Sequence, residues 1–198
     1  MILVTNLGDL AVLLPVSLAL IVYLARFGSG RDAAAYALAL AVCLTAALVA
    51  KMIFATCGEG HAVFGVKSPS GHAAIAMFFY GCVAAMLGVE RRVRARLAIY
   101  SFAGALILLI GMSRVAIRAH SVPEVAIGLA IGAVSVALFV SLRQKPRRLD
   151  ISRQALVRLS PFAAVFALCW LGLAGHWSAE PCIDAVAAQF GVELHLCR

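Results

Sequence analysis

The chain has 198 residues, room for one domain or two small ones. Apolar residues make up 64% and charged residues 13%, against roughly half and a quarter in an average soluble domain. With a mean hydropathy of +1.00 and a net charge of +8, the chain reads as an integral membrane protein with basic cytoplasmic loops. That excludes a soluble enzyme, a disordered chain and a secreted disulfide scaffold.

Six apolar stretches are long enough to cross a bilayer: 10–26, 33–55, 73–89, 97–113, 122–142 and 155–175. Backbone polar groups in lipid must be satisfied within their own segment, so all six are expected to be helices. No long alternating pattern suggests barrel strands. Met1 to Asp9 contains no Lys or Arg, and a cleavable signal peptide needs a basic start, so the first span is expected to stay in the mature protein.

The distribution of basic residues gives the expected topology. Arg26, Arg31, the Arg91–Arg96 cluster and the basic residues from Arg143 to Arg158 put twelve on one side. Lys51, Lys67, Arg114, Arg118 and Arg198 put five on the other. The richer side is expected to be cytoplasmic, with both termini outside. The charge is then topological, and nucleic acid is not an expected partner.

The outer side should be poor in charge, yet two of its segments, 51–72 and 113–124, hold four basic residues and also His61, His72 and His120. Charge and imidazole at a membrane edge cost free energy unless they are used. Lys67-Ser68-Pro69-Ser70-Gly71-His72 leads straight into the third span. A helix N-terminus offers free N–H groups and partial positive charge to an anion, and His72 in its first turn can exchange a proton near neutral pH. The same residues also fit an ordinary helix start with Ser70 as cap.

The second segment runs from Ser113-Arg114 through Arg118 and His120 to Glu124. Guanidinium groups suit a phosphate or carboxylate through paired hydrogen bonds. A carboxylate on one imidazole nitrogen would leave the other free to attack. Ser121-Val122-Pro123-Glu124 equally fits a capping box with proline in the first turn, and one carboxylate could serve both purposes.

Pro69-Ser70-Gly71-His72, followed by Ser113-Arg114, five residues, His120, three residues and an acid, resembles the type 2 phosphatidic acid phosphatase superfamily. The resemblance covers roughly residues 51–142. It implies metal-independent phosphoryl transfer without a cofactor. His120 would be the nucleophile, His72 the proton donor and acceptor, and Glu124 the residue that orients His120. Arg114, Ser70 and the Gly71 amide would hold the phosphoryl oxygens. Two positions depart from the family pattern. Its acid is Asp where this chain has Glu124. Its first motif, Lys, six residues, Arg-Pro, has Lys51 here but Gly58 and Glu59 at the Arg-Pro positions. Lys67 and Arg118 are candidates to supply the missing charge.

His61, with Cys57 and Glu59 nearby, fits no standard zinc spacing, and no metal site is expected. Cys43, Cys82 and Cys169 fall within spans, where packing is their ordinary role. Cys182 and Cys197 are expected to form a disulfide outside the membrane, in a tail whose residues 183–194 have an amphipathic pattern.

The expected architecture is all-α: a polytopic six-span helix bundle over 1–175, with its motif-bearing heart at 51–142 and a periplasmic tail at 176–198. The expected protein is a multi-pass lipid phosphatase of a bacterial inner membrane, a phosphoric monoester or acid-anhydride hydrolase. It would act through a phosphohistidine on an isoprenoid or glycerolipid (di)phosphate, with its site facing the periplasm. Undecaprenyl diphosphate, phosphatidic acid, phosphatidylglycerol phosphate and lipid A phosphates are all candidates. The alternatives are a lipid phosphotransferase and a catalytically weak lipid-binding or transport relative.

Overall fold

A computed structural model describes residues 5–57, 66 and 68–143. Five helices run through them: α1 Leu10–Phe27, α2 Gly30–Cys57, α3 Gly71–Leu87, α4 Val93–Ala116 and α5 Val122–Leu142. No strand occurs among the described residues. Each helix overlays one of the first five predicted spans. The sixth span, the tail with Cys182 and Cys197, His61 and Lys67 lie outside the described residues, so this structure contains five of the six expected helices.

Helices α1, α2, α4 and α5 are each long and apolar enough to cross a membrane. Helix α3 is shorter at 17 residues, which corresponds to a rise of about 26 Å. It is also the centre of the bundle, touching all four other helices. Its buried face is largely small, with Ala73, Ala74, Ala76, Cys82 and Ala84. Between membrane helices there is little hydrophobic drive, and small residues let backbones approach closely enough for dispersion to hold them. The opposite extreme is α4, whose Leu97, Phe102, Leu108, Leu109 and Met112 are exposed and suited to face lipid.

The closest approach joins α3 to α5. A Cβ on Gly132 would lie 2.5 Å from the Ala74 carbonyl oxygen, and one on Gly128 would run into the Ser70 carbonyl oxygen. These two glycines, one turn apart, make a flat strip on α5 against which the start of α3 lies. At the other end of the bundle Arg143 pairs with Asp32 at 3.3 Å, both buried. Arg143 also stacks over Phe139, 5.3 Å from the ring centre. Tyr36 packs against Phe78 and Phe139 beside this pair. That clasp ties the start of α2 to the end of α5. Cys43 and Cys82 are buried free thiols, as packing residues should be.

Gly128→Ala is expected to lower the unfolding midpoint in detergent, at a cost of about 1–3 kcal/mol for overpacking against rigid backbone. Gly104→Ala, where a Cβ meets nothing within 4 Å, is expected to leave it unchanged or slightly raised. Thermal unfolding of the two variants beside wild type checks the contrast.

Candidate active site

Two short segments at one end of the bundle carry the motif residues, and each owes its shape to a helix end. The first leads into α3. Ser70 is its N-cap, with its hydroxyl accepting the Ala73 N–H at 3.4 Å. The capping reading of Ser70 is thus correct. It leaves the hydroxyl proton and the amide of the exposed Gly71 available to an anion. Gly71 is exposed at that first turn, and His72 is buried just behind it.

The second segment reverses the chain between α4 and α5. Arg118 N–H bonds to the Val115 carbonyl at 2.9 Å, and Ala119 N–H bonds to the Arg114 carbonyl at 3.0 Å. This is a Schellman turn, with Arg118 at the left-handed position (φ 57°) that glycine usually fills. The turn folds His120 back onto the helix end, where its own N–H reaches the Arg114 carbonyl at 3.3 Å. The five residues between Arg114 and His120 are therefore the length of a helix cap plus a reversal. Arg114 itself is buried in the last turn of α4.

Glu124 joins the two segments. Its Oε2 lies 3.0 Å from His120 Nδ1 and also accepts the Ser121 N–H at 3.0 Å. Its Oε1 accepts the Ser68 N–H at 3.2 Å, and its backbone carbonyl accepts the Ser70 N–H at 3.1 Å. The contact with His120 and the capping contact thus fall on one oxygen, leaving the second to hold the Ser68 segment. Both side chains are nearly buried, 8% exposed for His120 and 6% for Glu124. A carboxylate on Nδ1 favours the tautomer with N–H on that nitrogen and the ring's lone pair on Nε2.

A cavity of about 80 Å³ opens beside His72, between α1, α2 and α3. Asp9, Lys51 and His72 give it a polar end, while Leu44, Ala47, Leu48 and Ile75 give it apolar walls. From Lys51 it reaches Cys43 on the same helix, eight residues or about 12 Å further into the bundle. Lys51 is buried there, so the first-motif lysine and His72 share one cavity. Arg118 is exposed on its turn.

Four further residues at this end of the bundle carried no assignment from the sequence. Asp9 caps α1 and lies 3.5 Å from His72 Nε2. The Ser68 hydroxyl is buried with no hydrogen-bond partner among the described residues. Gly128 and Gly132 bring α5 against the Ser70 backbone. Only the glycines had a readable signal, the small-xxx-small spacing of packed membrane helices. No group of three or more His, Cys, Asp or Glu side chains suited to a metal gathers among the described residues.

Glu124→Ala is expected to destabilise the protein by about 2 kcal/mol or more, because it strands several part-buried donors at once. Glu124→Asp is expected to fall between it and wild type. A carboxylate one methylene shorter cannot reach Ser68, Ser121 and His120 together. Unfolding midpoints in one detergent rank the three proteins.

Comparison with known proteins bears on the same residues. Residues 32–148 match the PAP2 superfamily. An uncharacterized 22.5 kDa protein in the cps region of Klebsiella pneumoniae is 32% identical over 145 residues, which is 72% of this chain and 69% of that protein. No solved structure matches the chain. The matched span runs from the start of α2 past the end of α5 and includes both motif segments and the Glu124 junction. The chain belongs to the PAP2 superfamily, the phosphatases that its motifs resemble.

Proposed function

We propose that the protein is a metal-independent lipid phosphatase that works through a phosphohistidine on His120. The observation that carries this reading is the 3.0 Å pairing of His120 Nδ1 with a buried Glu124 that also holds the Pro69–His72 segment. It supplies a nucleophile in one tautomer beside a helix N-terminus suited to phosphate.

The reaction has two displacements. The Nε2 lone pair of His120 bonds to phosphorus as the bond to the leaving oxygen breaks. The leaving oxygen keeps the electron pair and takes a proton from His72. Water then attacks phosphorus and gives a proton back to His72, and the N–P electron pair returns to His120. Glu124 balances the charge that forms on His120 in the first step. The Gly71 amide, the Ser70 hydroxyl and Arg114 offset the charge spread over the phosphoryl oxygens. The Ser68 hydroxyl, buried and without an acceptor among the described residues, is a further donor to them.

The cavity supports an amphiphilic substrate: its polar end is at His72 and Lys51, and its walls are apolar. An isoprenoid or glycerolipid (di)phosphate has that division. The topology we propose keeps the sixth span and places the site and both termini in the periplasm of a bacterial inner membrane, following the excess of Lys and Arg on the other side. The pairing of Cys182 with Cys197 belongs to the same proposal.

Arg118 supports this assignment through its backbone. A left-handed arginine costs about 1–2 kcal/mol relative to an unstrained residue, and glycine would avoid that cost. Strain kept at such a turn points to use of the side chain. Here its use would be to replace, together with Lys67, the absent arginine of the first motif.

Phosphate release is expected from a panel of undecaprenyl diphosphate, phosphatidic acid and phosphatidylglycerol phosphate, by purified protein in detergent with EDTA present. His120→Ala should abolish it, and His72→Ala should reduce it by about a hundredfold or more. Release requiring a lipid acceptor would mark a phosphotransferase instead, and no release in either assay a binding relative. Arg118→Gly is expected to hold or raise the unfolding midpoint while lowering kcat/KM. If both Arg118→Gly and Lys67→Ala leave kcat/KM at the wild-type value, neither replaces the missing arginine.

A further inference from the structure

Residues Thr5 to Asp9 precede α1 and lie outside the span matched to the family. They are nonetheless fastened across the motif end of the bundle. Thr5 Oγ1 lies 2.9 Å from the hydroxyl of Ser113, the neighbour of Arg114. The Tyr80 hydroxyl donates to the Leu7 carbonyl at 3.0 Å. Gly8 passes so near α4 that a Cβ there would lie 2.5 Å from Ile110 Cγ2. The segment is therefore held at its start, middle and end, which fixes where Asp9 emerges.

The two oxygens of Asp9 have separate partners. Oδ1 accepts the Ala11 N–H at 2.8 Å and caps α1. Oδ2 lies 3.5 Å from Nε2 of His72, whose side chain is 8% exposed. This repeats the design at Glu124, where a carboxylate that caps one helix also meets the imidazole of a motif histidine. At Asp9 the cap is that of α1 and the histidine is the one in α3.

We infer that Asp9 is a positioning residue for His72, holding its imidazole by Nε2 so that the other nitrogen exchanges the proton with substrate. This rests on the phosphatase reading above. In the first displacement, protonated His72 keeps one N–H toward Asp9 and gives the other proton to the leaving oxygen. In the second, neutral His72 takes a proton from the attacking water and regains its charge. Asp9 remains a carboxylate throughout and bonds to nothing on the substrate. The 3.5 Å separation is longer than a charge-assisted hydrogen bond, but catalytic contacts are commonly long before substrate binds and tighten afterwards. Lys51 lines the same cavity and gives Asp9 a rival role, that of balancing the lysine's charge.

The leaving group separates these roles. An alkyl phosphate such as phosphatidic acid needs a proton on its leaving oxygen, whereas the nitrophenolate of p-nitrophenyl phosphate departs without one. Asp9→Asn and Asp9→Ser both retain a good helix cap, so two variants remove the charge with the start of α1 intact. In the purified full chain each is expected to lower kcat/KM for phosphatidic acid by about tenfold or more. For the aryl phosphate kcat/KM, which ends at the first displacement, should stay near wild type, as should the unfolding midpoint, and Asp9→Glu should restore part of the loss on phosphatidic acid. Equal loss on both substrates would assign Asp9 to Lys51 or to the fold and overturn the inference. No loss on either substrate would overturn it while leaving the phosphatase reading intact. If wild type releases phosphate from no lipid of the panel above and not from the aryl phosphate, that reading fails and the inference fails with it.

Discussion

A buried carboxylate at the meeting of α3 and α5 is the constraint on which the motif end of this bundle depends. Glu124 accepts from the Ser121 and Ser68 amides, meets His120, and through its carbonyl also takes the Ser70 amide. An isolated carboxylate away from water would be costly. Here the cost is offset because the acceptor sites of Glu124 are used by donors that would otherwise be stranded at helix ends. The extra methylene of glutamate is what lets one side chain span both segments.

That junction requires the helices behind it to approach closely, and the composition of α5 permits it. Gly128 and Gly132 leave no side chain between α5 and the backbone of Ser70 and Ala74. In a bilayer, contact of this kind replaces the hydrophobic drive that holds a soluble core together. The Arg143–Asp32 pair anchors the opposite end. The bundle is thus pinned by polar contacts at its two ends and joined between them by small-residue packing.

The arrangement also ties structure to chemistry without separate parts for each. The Schellman turn that ends α4 is the same turn that sets His120 on the Arg114 carbonyl. The caps of α1, α3 and α5 use Asp9, Ser70 and Glu124, three residues at the motif end of the bundle. A helix end needs an acceptor for its free amides, and a phosphoryl group needs donors and an acid or base. Placing helix ends together satisfies both needs with few residues.

Much of this was legible in the sequence, for physical reasons that act locally. Apolar runs of the right length give helices in lipid, and five of them fall where hydropathy put them. Proline, serine and glycine before α3 give a helix start, and Ser121 with Glu124 gives another. The spacing of Arg114 and His120 reflects a turn made by adjacent residues. Tertiary structure alone decided what lies far apart in the chain. Asp9 meets His72 only because Thr5, Leu7 and Gly8 are fastened to α3 and α4, and an aspartate before an apolar run signals no more than a cap. Lys51 shares a cavity with His72 because α2 packs beside α3. Which of several possible donors a carboxylate accepts depends on the distance between helices, and that distance is set by packing that no single segment encodes.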